Sequence, residues 1–164
     1  MLKMDKFCVE IVTVQKAIIN MEHTKIFLEH DNSPEGGFGI ESVWAIPLED
    51  GSYKIDNILF YAPEYSLGDI VSVENRKGDF FVDGLISESG HSTIRIIFNN
   101  IDDVELTRKF LKELDCDSEI SEVPILVSVD IPPNVSYSKI KKYLIQGEEM
   151  GRWNYEESCI AHND

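Results

Sequence analysis

Hydrophobic positions along the chain follow two periods, and the change falls near residue 100. From Thr24 to Ile97 apolar residues recur at every second position: Ile26 and Leu28 alternate with Lys25, Phe27 and Glu29, and Val43, Ala45 and Pro47 with Trp44, Ile46 and Leu48. Such alternation turns one face of a strand inward and the other outward. Turn residues punctuate the same stretch. Glu49-Asp50-Gly51-Ser52 reads as a tight hairpin turn, because Asp-Gly tolerates positive φ, and Tyr53 and Ile55 open the returning strand. Gly68-Asp69 precedes a strand through Ile70, Val71 and Val73. Arg76-Lys77-Gly78-Asp79 is the next turn, Phe80 to Ile86 pairs back, and Thr93 to Phe98 is a β-branched run. Short strands broken by frequent turns predict a small barrel or a curled antiparallel sheet.

Beyond Asn100 the period becomes helical. Asp102-x-x-Glu105 has the form of a capping box, and Val104, Phe110, Leu111 and Leu114 make an apolar stripe that Asp115 ends. Val123 to Ile131 is a strand-like apolar run stopped by Pro132-Pro133. Asn134 or Ser136 then caps a second helix, with Ile140, Tyr143 and Leu144 on one face and Gly147 at its end. A last helical turn is expected around Trp153 and Tyr155. The order β-α-β-α resembles part of a ferredoxin-like sandwich. The predicted class is therefore α+β: residues 1–20 as an N-terminal extension, 21–90 as a barrel-like module and 91–164 as an α+β sandwich sharing its core. In the extension Val9, Ile11 and Val14 fit neither period.

Composition narrows the function classes. A chain of 164 residues buries roughly 70% of its surface on folding, enough for a core without staples. The 15 Lys and Arg against 30 Asp and Glu give a net charge of −15. That balance opposes nucleic acid as the main partner, since such binding rests on neutralising phosphates. No apolar run reaches the ~18 residues that suggest a membrane span, and no cationic amphipathic stretch suggests a membrane surface. Three cysteines without a C-x-x-C pair fit reduced thiols and predict a cytoplasmic location.

Candidate chemistry is sparse. His23, His30, His91 and His162 lack metal-ligand spacing, and Gly36-Gly37-Phe38-Gly39 lacks the form of a phosphate loop, so no metal and no cofactor are expected. The most polar constellation is Ser87-Glu88-Ser89-Gly90-His91-Ser92-Thr93-Ile94-Arg95. Ser89 or Ser92 with His91 and Asp56 can be drawn as a hydrolytic triad, but no G-x-S-x-G elbow accompanies them. The bland reading is a turn at Gly90 whose neighbours satisfy backbone groups. An alternative polar site of Asn57, His91, Ser92 and Arg95 suits an enzyme or an anion-binding small-ligand domain. Acids are denser after residue 100. Asp115, Asp117, Glu119 and Glu122 run with no base between them: a solvated face, or a patch complementary to a basic protein. Trp44, Tyr61 and Trp153 are the candidate aromatic anchors beside such a patch.

Four strings carry a family likeness: Glu41-Ser42-Val43-Trp44-Ala45-Ile46-Pro47-Leu48, Gly51-Ser52-Tyr53-Lys54-Ile55-Asp56-Asn57, Gly68-Asp69-Ile70-Val71 and Ser89-Gly90-His91-Ser92-Thr93-Ile94-Arg95. They resemble an uncharacterised bacterial domain-of-unknown-function family with the pattern E-S-x-W-A-x-P-L, L-D-N, G-D-x-V and S-G-H-S-T-I-R. The likeness continues through Asp130-Ile131-Pro132-Pro133 and Gly151-Arg152-Trp153-Asn154-Tyr155-Glu156-Glu157, spans about Glu22 to Ile160, and suggests Met21 as the family-like start. Leu59 stands where the family usually has proline. The resemblance implies no catalytic residue. Small acidic proteins of this kind look similar to immunity proteins of bacterial toxin systems. The expected function is accordingly binding and neutralising a cognate, basic toxin domain without catalysis. Nothing in the sequence sets an oligomeric state.

Overall fold

The chain is described by a computed structural model covering residues 22–31 and 36–164. The expected extension over residues 1–20 lies outside the described residues, as do residues 32–35, which precede Gly36-Gly37-Phe38-Gly39.

Alternation drives the first half into five strands: β1 Thr24–His30, β2 Gly39–Pro47, β3 Tyr53–Ile55, β4 Ile70–Arg76 and β5 Asp79–Ser87. Successive strands pair antiparallel, and β1 meets β5 in parallel through Ile26↔Phe80 and Phe27↔Phe81, closing a barrel. An odd number of up-and-down strands must close on one parallel seam. Register shifts at Ile70/Val71 and Ser72/Val73 bend the β4–β5 ribbon into the curve that closure needs. Ile26, Leu28, Val43, Ala45, Ile55 and Val71 fill the interior, joined by Leu59 and Ala62 from the segment between β3 and β4. The Asp-Gly turn forms between β2 and β3, with Gly51 at φ 85°.

The second half is a four-stranded antiparallel sheet with two helices: β6 Ser92–Phe98, α1 Asp102–Glu113, β7 Asp117–Ile120, β8 Leu126–Ile131, α2 Tyr137–Glu149 and β9 Trp153–Cys159, in strand order β7-β8-β6-β9. Ile94, Ile96 and Phe98 of β6, and Val127, Val129 and Ile131 of β8, pack in one cluster with Val104 and Leu111 of α1 and Ile140 and Leu144 of α2. Both helices therefore lie on one face. By alternation the other face carries Thr93, Arg95 and Ile97, Leu126, Ser128 and Asp130, and Asn154 and Glu156.

Several expectations are corrected. The tail around Trp153 and Tyr155 is the strand β9, because Trp153 drives into the helix-side core, 1% exposed, edge-on to Phe98 at 5.5 Å and donating from Nε1 to the Leu144 carbonyl at 3.0 Å. The acidic stretch after α1 contains a further strand, β7. Gly147 is interior to α2 and buried. A Cβ there would lie 1.7 Å from Cζ2 of Trp153, so the glycine admits the indole, and the helix stops before Gly151 at φ 69°. The expected capping box does not form: Ile101 is the N-cap of α1, and Asn100 Oδ1 accepts from the Asp102 amide at 3.0 Å. The strand expected over Val123 to Ile131 is shorter, beginning at Leu126.

Candidate functional site

Between β3 and β4 the chain runs as the irregular segment 56–69, with Pro63 and with Glu64 at φ 70°. A covered loop leaves its amides and carbonyls without ladder partners, so they must find side chains. Glu41 faces inward on β2 with the same parity as Val43 and Ala45. Its carboxylate accepts from the amides of Phe60 at 2.6 Å, Tyr61 at 2.9 Å and Ala62 at 2.8 Å. Asn57 Oδ1 accepts from the Trp44 amide at 2.6 Å. From the sheet side, Ser128 Oγ donates to the Leu59 carbonyl at 2.5 Å, and Arg95 Nη1 donates to the carbonyls of Phe60 at 2.7 Å and Tyr61 at 3.1 Å. Ser66 Oγ meets Thr93 Oγ1 at 3.0 Å, and Asp69 accepts from the amides of Ser66 and Ser89, both at 2.8 Å. The segment is thus a keystone, held by Glu41 of the barrel and by Arg95, Thr93 and Ser128 of the sheet.

The polar constellation around His91 is used in the same way. His91 Nδ1 bonds both Asp130 oxygens, at 2.8 and 3.0 Å. Burial pushes the Asp130 carboxyl above the usual carboxylate range, and the His91 bond pulls it partly back. Ser92 is fully buried, 2.6 Å from His162 Nδ1, and accepts the Ala161 amide at 2.9 Å. His162 Nε2 faces the Pro132 carbonyl at 3.0 Å, and a carbonyl can only accept, so that nitrogen carries a proton and donates. Ser89 Oγ donates to the Leu67 carbonyl at 2.7 Å and lies 3.2 Å from the His91 amide, which it accepts. Neither serine is placed as a nucleophile facing His91, and Asp56 bonds His23 at 2.5 Å instead. Burial pushes the Cys116 thiol up to about 12, away from thiolate chemistry. Among the described residues no group of three or more His, Cys, Asp or Glu is arranged to hold a metal ion.

The sheet face opposite the two helices carries a different arrangement. Register aligns Glu119 with Ser128, Ser128 with Arg95, and Arg95 with Glu156, one polar row across all four strands. Arg95 is 7% exposed, and its Nη2 holds Glu156 Oε1 at 2.8 Å. Beside this row lies a half-open cavity of about 430 Å³, lined by Phe60, Tyr61, Arg95, Ile97, Leu126 and Glu156, with Asn154 and Tyr155 at its β9 side.

The candidate residues separate accordingly. Asp115, Asp117, Glu119 and Glu122 are all exposed, along the turn after α1, the edge strand β7 and the turn beyond it. Partial burial raises the Glu119 carboxyl, with Arg108 opposing. Trp44 is 48% exposed on the outside of the barrel with Lys25 over its ring, and Tyr61 is half-buried at the cavity. Trp153 is a core residue and cannot act as a surface anchor. Asn57, His91, Ser92 and Arg95 do not converge: each binds a different internal partner. Sequence reasoning missed the roles of Glu41, Ile97, Leu126 and Glu156. A carboxylate at an inward parity on β2 was the available signal for Glu41.

The fold and this site define an α+β protein of two mostly antiparallel sheets whose polar motif residues join its halves. It belongs to the family described as Domain of unknown function (DUF4265), whose profile matches residues 41–155. The chain is similar to a crystal structure of a hypothetical protein from Neisseria gonorrhoeae, at 25% identity and a TM-score of 0.76, covering 88% of this chain and 99% of that one. No curated protein matches it.

Proposed function

We propose that the protein acts by binding another protein without catalysis, as a cytoplasmic immunity protein that occupies a cognate, basic bacterial toxin domain. The observation that carries this reading is the exposed run Asp115, Asp117, Glu119 and Glu122, in which Asp117 alone is ion-paired, to Lys112, among the described residues. Carboxylates that outnumber the nearby bases Arg108 and Lys112 on an edge strand and its turns set a local negative field. Such a field speeds encounter with a cationic cleft and rejects partners of like charge. Trp44 and Tyr61 add rigid aromatic area of the kind that anchors interfaces. The engagement of His91, Ser92 and Asn57 in internal bonds supports a binding role over an enzymatic one. The frame that presents the acids is read as a small barrel followed by a ferredoxin-like unit, whose β-α-β-β-α-β order the β7-β8-β6-β9 sheet matches.

The test is protection. A host killed by the toxin domain encoded beside this gene grows when the protein is co-expressed, and the purified pair associates more slowly as salt rises. No such neighbouring toxin, or no protection by the protein, contradicts the reading.

A further inference from the structure

The cavity on the sheet face opposite the two helices has a feature that the protein-binding reading leaves unused. Arg95 lines it, is more than nine-tenths buried, gives Nη1 to two carbonyls and has Glu156 as an ion-pair partner beside Nη2, yet its Nε–H has no acceptor among the described residues. A buried N–H without an acceptor is costly, and charged donors more so. Nε and Nη2 share one edge of the guanidinium, the edge that matches the two oxygens of a carboxylate. Glu156 stands beside Nη2 as an ion-pair partner, one oxygen at 2.8 Å, leaves Nε–H without an acceptor, and has a side chain that is 63% exposed. An exposed partner of this kind is held weakly and is released at small cost. Around the edge stand apolar walls: the rings of Phe60 and Tyr61, with Ile97 and Leu126 from neighbouring strands. The volume, about 430 Å³, falls in the range of small-molecule sites.

We infer that this cavity binds a small apolar monocarboxylate, whose carboxylate displaces Glu156 and takes Nε–H and Nη2–H of Arg95 together while its hydrocarbon body packs against Phe60, Tyr61, Ile97 and Leu126. Glu156 is the carboxylate that stands nearest Nη2 when no ligand is present. The inference is independent of the toxin reading, which rests on the carboxylates of β7 and its turns. The protein's net charge of −15 opposes an anion at long range, but that field is screened within about 10 Å at 0.1 M salt, whereas the guanidinium contact is direct.

The experiment is titration of the full chain with phenylacetate, with phenylacetamide as the neutral isostere and benzylamine as the cation, read by the Arg95 side-chain Nε–H resonance and by calorimetry. Phenylacetate is expected to shift that resonance, with the amide at least about tenfold weaker. Removing the competitor in Glu156→Gln is expected to tighten phenylacetate about two- to fivefold, the scale of an exposed ion pair. Ile97→Trp fills the cavity from a half-exposed position and is expected to abolish binding while the thermal midpoint stays in place. It serves alongside Arg95→Lys, because Arg95 also ties down residues 60 and 61. Equal binding of the amide, preference for benzylamine, weaker binding in Glu156→Gln, or binding that survives Ile97→Trp each overturns the inference.

Discussion

Glu41 shows how a single side chain sets the geometry of this molecule. Its carboxylate is buried and takes three successive amides of the keystone segment. Removing it leaves those donors without a partner, and unsatisfied buried donors cost about 1–3 kcal/mol each. Glu41→Ala is expected to lower the unfolding free energy by about 3 kcal/mol or more, and Glu41→Gln, which keeps one acceptor oxygen, by clearly less. Urea titration of the two variants checks the order. A second residue-scale expectation concerns acid. Glu157 accepts from the Tyr137 hydroxyl and from Lys141 at 2.6 Å, and the Lys141 bond first, then Tyr137, holds its carboxyl below the ordinary 4.5. A carboxyl depressed in the folded state contributes stability that is full above 4.5 and is lost as the pH falls through its folded value. The stability difference between the wild type and Glu157→Gln should therefore be constant near neutrality and close below about pH 4.5. A difference that persists unchanged into acid would remove Glu157 from the account. Asp130 acts in the opposite sense: raised by burial, it favours the fold below its ordinary 3.8 and loses that contribution as the pH rises through its folded value.

At the scale of elements, α2 and β9 are coupled through one contact. Gly147 leaves the space that Trp153 fills, and Trp153 in turn caps the Leu144 carbonyl. Gly147→Ala gains helix propensity of about 1 kcal/mol, yet puts a methyl group inside the indole's envelope. Overpacking of a rigid ring is expected to win, with a net loss of about 1–3 kcal/mol by thermal or urea unfolding. This contact also explains what could be read in advance. The barrel strands were legible because their inward positions are apolar and their turns carry Asp-Gly, Lys-Gly and Gly-Asp. The strand β9 was not, because its inward positions run Trp153, Tyr155, Glu157, and the charged last member hides the alternation. In β7 the only strongly apolar residue is Ile120, so a four-residue edge strand looks like an acidic loop. Gly147 looked like a helix stop because nothing local signals that its missing side chain makes room for a residue six positions on. The candidate site was legible as a set of motif residues. That Asn57, His91, Ser92 and Arg95 face different partners depends on strand pairing between distant segments, which no local pattern carries.

For the whole molecule the governing quantity is charge. Thirty acids against fifteen bases make the folded state self-repelling as well as soluble. Edge strands are commonly guarded by charge, so part of the acid on β7 acts against edge-to-edge pairing. What distinguishes an interface from a guard is whether the carboxylates steer association with a partner. Four neutralising changes, Asp115→Asn, Asp117→Asn, Glu119→Gln and Glu122→Gln, lie on exposed positions and are expected to leave folding intact. The decisive measurement is the association rate of the cognate toxin domain with wild type and with this fourfold variant across a salt series. A wild-type rate that falls steeply with salt, and a variant that is slower by about tenfold at low salt and nearly flat, is the predicted result. Equal rates and equal salt slopes for the two proteins would contradict it.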